Sequence, residues 1–269
     1  MFDLCVIGGG IYGCGVAQAA AANGLSVLLV EKEELASGTS SQSTKLIHGG
    51  LRYLEQGRLK LVYEALAERE ILLRIAPGLV ERVWVHIPVY ASSRRSRAWV
   101  GAGLALYWLL SAGRSPMRGF APERSPVPAL RREGLRWVWA YTDASTDDAR
   151  LVSAVAENAR RFGCEIRTHC ALERAEAHKG RWKIALGDGS CVEARVLVNA
   201  AGAWIPEVAW RIAPAPPSPP VRLVQGSHLW LERPMEAFVY LESLDGRVMF
   251  VRPWRGRTLV GTTETEFSG

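Results

Sequence analysis

Six residues near the N-terminus, Gly8-Gly9-Gly10-Ile11-Tyr12-Gly13, have the spacing G-x-G-x-x-G, and Glu31 follows 18 residues after Gly13. Each residue type has a job in holding a dinucleotide. Gly8 allows a tight turn. Gly10 lets a pyrophosphate approach the backbone, where a helix start at Ile11 offers N–H groups and partial positive charge. Gly13 lets that helix lie close to the preceding strand. Glu31 can accept the protons of both ribose hydroxyls, and its charge would repel a 2′-phosphate, which disfavours NADP. The motif does not choose between FAD and NAD, and the hexapeptide gains specificity only from its context.

The flanking sequence supplies that context. Phe2–Ile7 (FDLCVI) reads as a short buried strand, Ile11–Ala22 as a helix of small apolar residues ended by Asn23-Gly24, and 26–30 as a second strand. This is a βαβ unit. Next comes GTSSQSTKLIHGGLRYLE at 38–55. Ser40, Ser41, Ser43 and Thr44 bring short hydroxyl donors, Lys45 a positive charge, and Gly49-Gly50 room for close approach. Such a loop can hold a diphosphate or a flavin ring; a solvated polar loop is the plain alternative.

The segments GGGIYGCGVA, LLVEKEELASGTSSQSTKLIHGGLRYLE, EALAEREILLRIAP, YTDASTDDARLV, VLVNAAGAW, LVQGSHLWL and LVGTTETEF are similar, in order, to the N-terminal half of flavin-dependent glycerol-3-phosphate dehydrogenases. The resemblance runs from residue 2 to 267 and implies FAD rather than NAD. It places Gly8, Gly10, Ile11, Gly13 and Glu31 on the ADP half of the cofactor. Ser40, Ser41, Ser43, Lys45 and Leu46 would line the flavin side, Ala171 would meet the adenine through its backbone, and Ala201-Gly202 would turn beside the cofactor. His48 and Arg52 resemble residues facing the flavin. A neutral His can take a hydroxyl proton as hydride leaves carbon. A guanidinium can hold a phosphate or a developing alkoxide. The alternatives are a His that orders its own loop and an Arg paired with Glu55. Tyr53 and His228 resemble further substrate-side positions, His228 also fitting a core histidine.

The same resemblance marks what these 269 residues lack: a later Gly-Val-Arg-Pro segment with a substrate-side Arg, a glycine-rich segment closing over the pyrophosphate, and a helical C-terminal domain. The expectation is part of a longer flavoprotein, with weak flavin retention and little turnover from this stretch alone.

The remaining sequence organises around these motifs. Leu59–Ile75 has helical spacing, 82–90 looks like a strand, and 113–136, with Pro116, Pro122, Pro126 and Pro128, reads mostly as loop. Thr146 or Asp147 is a plausible N-cap for a helix over 148–162. Strands are expected at 164–167, 171–177, 182–186, 190–195, 196–199, 221–231, 238–241, 247–252 and 258–262. The expected fold is α/β (α+β): an FAD/NAD(P)-binding Rossmann-like domain with an inserted mixed or antiparallel-sheet substrate domain. Residues 1–80 would hold the dinucleotide βαβ unit and flavin loop, 81–145 the start of the substrate domain, 146–205 a return to the FAD-binding domain, and 206–269 a substrate-domain sheet.

Composition narrows the partners. Of a net charge of +6, residues 81–140 carry +7, from ten Arg and three Glu with no Lys or Asp. Within that stretch lie fifteen uncharged residues, 98–112 (AWVGAGLALYWLLSA), fewer than the roughly 20 a spanning helix needs. A buried helix, or one resting on a bilayer surface with Arg94, Arg95, Arg97 and Arg114 at the headgroups and Trp99, Tyr107 and Trp108 at the interface, fits instead. No nucleic-acid module accompanies the arginines. Asp143, Asp147 and Asp148 could suggest a metal site, but a helix N-cap with an acid in its first turn explains two of them without any ion. Five Cys without a CxxC, and no signal peptide, point to a reducing cytoplasm. The expected function is oxidation of sn-glycerol 3-phosphate to dihydroxyacetone phosphate, with electrons passed from FAD to a quinone or similar acceptor, on the inner face of the cell membrane. An amine or amino-acid oxidase of the same superfamily, or a non-catalytic flavin-binding fragment, are the rivals.

Overall fold

The computed structural model describes every residue except 218–219, 244–245 and 268–269. It divides into two compact units, Met1–Ser43 with Asp147–Leu223, and Thr44–Thr146 with Val224–Ser268.

The first unit is built on the strand Phe2–Ile7, whose apolar run is buried because both faces are covered. It pairs in parallel with Val27–Val30 and with Cys191–Asn199. Val27–Val30 pairs in parallel with Glu165–Arg167. On the other side Cys191–Asn199, Arg181–Leu186 and Leu172–His178 run antiparallel, and Ile212–Ala213 closes a seven-stranded sheet. Alternate residues of a strand face opposite sides. Leu4 and Val6 therefore meet Cys14, Ala17 and Ala21 of the helix Ile11–Ala22 and Val152 and Ala156 of the helix Asp148–Arg161. Cys5 and Ile7 meet Ile184, Leu186 and Ala194 on the other face. Asp147 caps the second helix by accepting the Arg150 N–H at 3.2 Å.

The second unit centres on a long antiparallel pair, Val80–Tyr90 with Leu135–Thr146, in register from Val80↔Thr146 to Val89↔Trp137. Phe238–Glu242 joins Val80–Tyr90 in parallel, followed by Val248–Trp254, Arg257–Gly261 and His228–Leu231, all antiparallel. Leu46–Ile47 and Met117–Phe120 both pair with Leu135–Thr146. The helices Leu59–Ile75 and Arg97–Leu110 bury Val62, Leu66, Leu104 and Tyr107 against Val85, Ile87, Tyr141 and Phe238 of the sheet.

Two departures from the sequence reading matter. The strand Leu135–Thr146 was hidden inside and beyond a segment read as loop, because Asp143 interrupts its apolar inward register. The single strand expected over 221–231 is two, Val224–Gln225 and His228–Leu231. They part at Gly226, where an added Cβ would lie 2.5 Å from the Thr262 hydroxyl, and the Ser227 N–H turns to Thr263 Oγ1 at 3.0 Å.

Candidate active site

In the first unit the candidate cofactor residues gather at the carboxyl ends of the parallel strands, where ligands of doubly wound sheets bind. Gly8 leaves its strand with φ +111°, and an added Cβ would lie 2.7 Å from the Ala200 carbonyl oxygen. Gly10 is the extended residue before the helix Ile11–Ala22 and offers no side chain to cap it. A Cβ on Gly13 would stand 1.8 Å from the Gly8 carbonyl oxygen, so the helix can lie against the turn only with glycine there. Glu31 accepts the Gly9 N–H at 2.6 Å and, through its other oxygen, the Glu33 N–H at 2.9 Å. Each carboxylate oxygen retains a lone pair for a further donor.

The loop residues take distinct places. Ser40 Oγ accepts the Ile11 N–H at 3.0 Å, at the start of the helix. Ser41 donates to the Gly38 carbonyl at 3.2 Å. Ser43 is drawn to Asp148, donating its hydroxyl at 2.7 Å and its N–H at 3.2 Å. Ala171 follows Cys170, whose N–H donates to the Glu31 carbonyl at 2.8 Å, so it sits at the Glu31 corner. The Ala200 N–H donates to the Ile7 carbonyl at 2.9 Å, which brings Ala201-Gly202 beside the glycine turn. Gly202 has φ +58°.

The second unit carries the substrate-side segment Thr44 to Glu55. Lys45 is buried, at φ +61°. Its carbonyl accepts the Thr146 N–H at 3.1 Å and the Arg252 Nη1 at 2.7 Å. Arg252, itself buried, also donates to the Thr44 carbonyl at 3.2 Å and to Ser145 Oγ at 2.7 Å. Leu46 pairs with Ser145 in the sheet. Further along, the Gly49 N–H donates to Tyr107 Oη at 2.7 Å. Tyr107 in turn donates to Asp143 Oδ1 at 2.7 Å. Burial, reinforced by the Asp143 charge, pushes the Tyr107 hydroxyl well above its usual range, so it stays a proton donor.

His48 and Arg52 are both exposed, and Arg52 makes no hydrogen bond or ion pair among the described residues. The alternative pairing of Arg52 with Glu55 is not formed: Glu55 is taken by Arg95, at 2.5 and 2.7 Å, and Arg95 also reaches Glu242 at 2.5 Å. The Arg95 hydrogen bond holds the Glu55 carboxyl below its ordinary range. Tyr53 packs against Gly50, with its ring edge 2.4 Å from where a Cβ at Gly50 would stand. His228 reaches the start of the segment, its Nε2 3.3 Å from Thr44 Oγ1. Thus His48, Arg52 and Tyr53 share one stretch of chain, and His228 touches that stretch at Thr44.

The sequence reading names Asp143 and Tyr107 singly but not the buried group they form with Arg69 beneath this segment. Arg69, Asp143 and Tyr107 are fully buried. Arg69 donates to Asp143 Oδ1 at 2.6 Å, to the Thr142 carbonyl at 3.1 Å and to Ser115 Oγ at 2.6 Å. Burial opposes its charge, but Asp143, Tyr107 and Glu70 hold the guanidinium above its ordinary value. Burial pushes the Asp143 carboxyl up, against the pull of Arg69 and the Tyr107 hydroxyl. The signal was periodic: Val62, Leu66 and Arg69 share the buried helix face, and Tyr141, Asp143 and Ser145 share one strand face. Of the two readings offered for its helix, buried or resting on a bilayer surface, Tyr107 follows the buried one and belongs to this core.

Comparison with known proteins defines the class. The family model FAD dependent oxidoreductase matches residues 3–269. The chain belongs to that family, and its fold is the FAD-binding Rossmann-like α/β fold. It is 41% identical to the D-erythritol 1-phosphate dehydrogenase of Brucella abortus, over 99% of this chain and 55% of that protein. It is likewise 41% identical to the glycerol-3-phosphate dehydrogenase of Pseudomonas aeruginosa, over 100% of this chain and 54% of that protein. Among solved structures, the glycerol-3-phosphate dehydrogenase of Bacillus halodurans complexed with FAD superposes with a TM-score of 0.75 at 27% identity, over 100% of this chain and 48% of that one. The chain therefore spans about half the length of the curated relatives it matches.

The residues present fit FAD. Gly8 and Gly13 let the strand end, the Ala200 turn and the helix start close on one another, Gly10 presents no side chain ahead of the helix, and Glu31 follows the second strand. A pyrophosphate and an adenosine ribose need that donor set and that acceptor.

Proposed function

We propose that the protein oxidises the secondary alcohol of a polyol phosphate, sn-glycerol 3-phosphate in the first place, to the ketone, dihydroxyacetone phosphate. The observation that carries this reading is Arg52: an exposed guanidinium that makes no hydrogen bond or ion pair among the described residues, four residues from an exposed His48, on a segment fixed from below. A free guanidinium suits a phosphate dianion, which it can bind through two parallel N–H donors. The His48 imidazole takes the hydroxyl proton as the C–H bond breaks. FAD, when bound, supplies the two-electron acceptor for the hydride. Tyr53 and His228 would bound the substrate's polyol chain, with Thr44 fixing the His228 ring. Gly8, Gly10, Ile11, Gly13, Glu31 and Ala171 would hold the ADP half, and Ser40, Ser41, Ser43, Lys45, Leu46, Ala201 and Gly202 the flavin side.

The name of the Brucella relative supports a second substrate of the same class, D-erythritol 1-phosphate, which presents the same phosphomonoester and a secondary alcohol on a longer chain. Anaerobic titration of the FAD-loaded protein with both phosphates, and with glycine, tests the class. Flavin reduction by a polyol phosphate supports it, and reduction by glycine alone rejects it.

For the electron acceptor we favour a quinone reached at a membrane surface on the cytoplasmic side. Among the described residues no helix is long and apolar enough to cross a membrane. Support comes from the helix Arg97–Leu110, which exposes Trp99, Leu106, Trp108 and Leu109 beside Arg94 and Arg114. A largely apolar cavity of about 320 Å³ lies under the same helix, lined by Leu51, Ile87, Trp99, Leu106 and Tyr240 with Arg52 and Glu55. Flotation with anionic vesicles tests the surface contact.

A further inference from the structure

The segment that carries His48 and Arg52 is held by groups far from it in sequence. At its start Arg252 ties down the Thr44 and Lys45 carbonyls. At its middle one chain of hydrogen bonds runs from the core to the backbone: Arg69 Nη1 to Asp143 Oδ1 at 2.6 Å, Tyr107 Oη to the same oxygen at 2.7 Å, and Gly49 N to Tyr107 Oη at 2.7 Å.

The polarity of this chain is fixed from its buried end. An ionised carboxylate only accepts. Asp143, paired with Arg69, therefore takes the single Tyr107 proton, and the Tyr107 oxygen is left to accept the Gly49 N–H. Arg69 is itself locked by Ser115, Thr142 and Glu70, and Glu70 by Arg82 at 2.7 Å. Gly49 is fitted to this contact: a Cβ there would lie 2.5 Å from Leu66 and 2.7 Å from Tyr107 Oη. Immediately after, Gly50 turns at φ +73° into the short helix Arg52–Glu55. The orientation of the 48–49 peptide thus sets the origin of both exposed side chains. A buried ion pair is a weak source of stability compared with apolar packing of the same volume. Its placement inside an apolar cluster is accounted for by what it orients.

We propose that Tyr107, aimed by the buried Asp143–Arg69 pair, is a positioning residue that holds the His48–Arg52 turn in its reactive geometry. This rests on the roles given above to His48 and Arg52. The test uses the FAD-loaded full-length protein and compares wild type with Tyr107→Phe, Asp143→Asn, His48→Gln and the Tyr107→Phe/His48→Gln double variant. Tyr107→Phe removes one oxygen and leaves the ion pair intact, so it decides the matter if Asp143→Asn does not fold. The expected result is an about tenfold faster hydrogen exchange at Gly49 in Tyr107→Phe, with the amides of Val80–Tyr90 unchanged. With it come a fall in kcat of about 10- to 100-fold and little further loss when Tyr107→Phe is added to His48→Gln. Unchanged Gly49 exchange, or losses that multiply in the double variant, overturn the proposal. If wild type is not reduced by a polyol phosphate, the functional reading fails instead, and Gly49 exchange still decides whether Tyr107 holds the turn.

Discussion

The backbone of Gly13 approaches the carbonyl oxygen of Gly8 so closely that a methyl group at position 13 would stand 1.8 Å from it. The helix start, the turn and the strand end are thereby locked into one surface. Gly13→Ala must push the helix away and lift its N–H groups from the pyrophosphate position. The expected outcome is a protein that folds less stably by about 1–3 kcal/mol and is purified with little or no FAD, read from its visible absorbance and from denaturant unfolding.

Glu31 anchors the opposite end of the same site through the Gly9 and Glu33 N–H groups. Glu31→Gln keeps one acceptor oxygen but replaces the other with a donor and removes the charge. FAD affinity, measured by titrating apoprotein, should fall by about 10- to 100-fold, the value of one or two charge-assisted hydrogen bonds.

Arg52→Ala separates binding from folding. Because Arg52 is exposed and makes no hydrogen bond or ion pair among the described residues, unfolding free energy should stay within about 0.5 kcal/mol of wild type. The loss of a charged contact to phosphate should raise KM for glycerol 3-phosphate by about 10- to 100-fold. An Arg52→Ala protein with unchanged KM would remove Arg52 from the substrate site.

His86 gives the fold a pH dependence of known sign. Burial lowers its pKa below the usual imidazole value, partly offset by its hydrogen bond with the Phe238 carbonyl at 3.0 Å. In the unfolded chain it takes up a proton near pH 6.5, while the folded protein resists doing so until lower pH. The unfolded state therefore binds more protons, and stability falls as pH drops through and below about 6.5. The urea midpoint should decline from pH 7 to 5.5, and His86→Gln should flatten that decline.

The cofactor end of the molecule was legible in the sequence because its determinants are local. Phe2–Ile7 and Ile11–Ala22 have the bounds their patterns predict, Asp147 is the cap residue, and Leu59–Ile75 follows its apolar spacing. The support beneath the substrate-side segment was not legible, because it is long-range. Gly49 and Tyr107 are 58 residues apart, and Arg69 and Asp143 are 74 apart. No window of sequence contains both partners. Arg95, a headgroup candidate in one of the two readings of its helix, bonds Glu55 and Glu242, which lie 40 and 147 residues away.

On the proposed function a polyol phosphate is the reductant of the bound flavin. Its most direct test is an anaerobic stopped-flow mix of the FAD-loaded full-length protein with sn-glycerol 3-phosphate or D-erythritol 1-phosphate. The expected result is full bleaching of the visible flavin band within a single turnover, slowed at least about 100-fold in His48→Gln. A flavin that stays oxidised with both phosphates, yet bleaches with glycine or another amino acid, would contradict it.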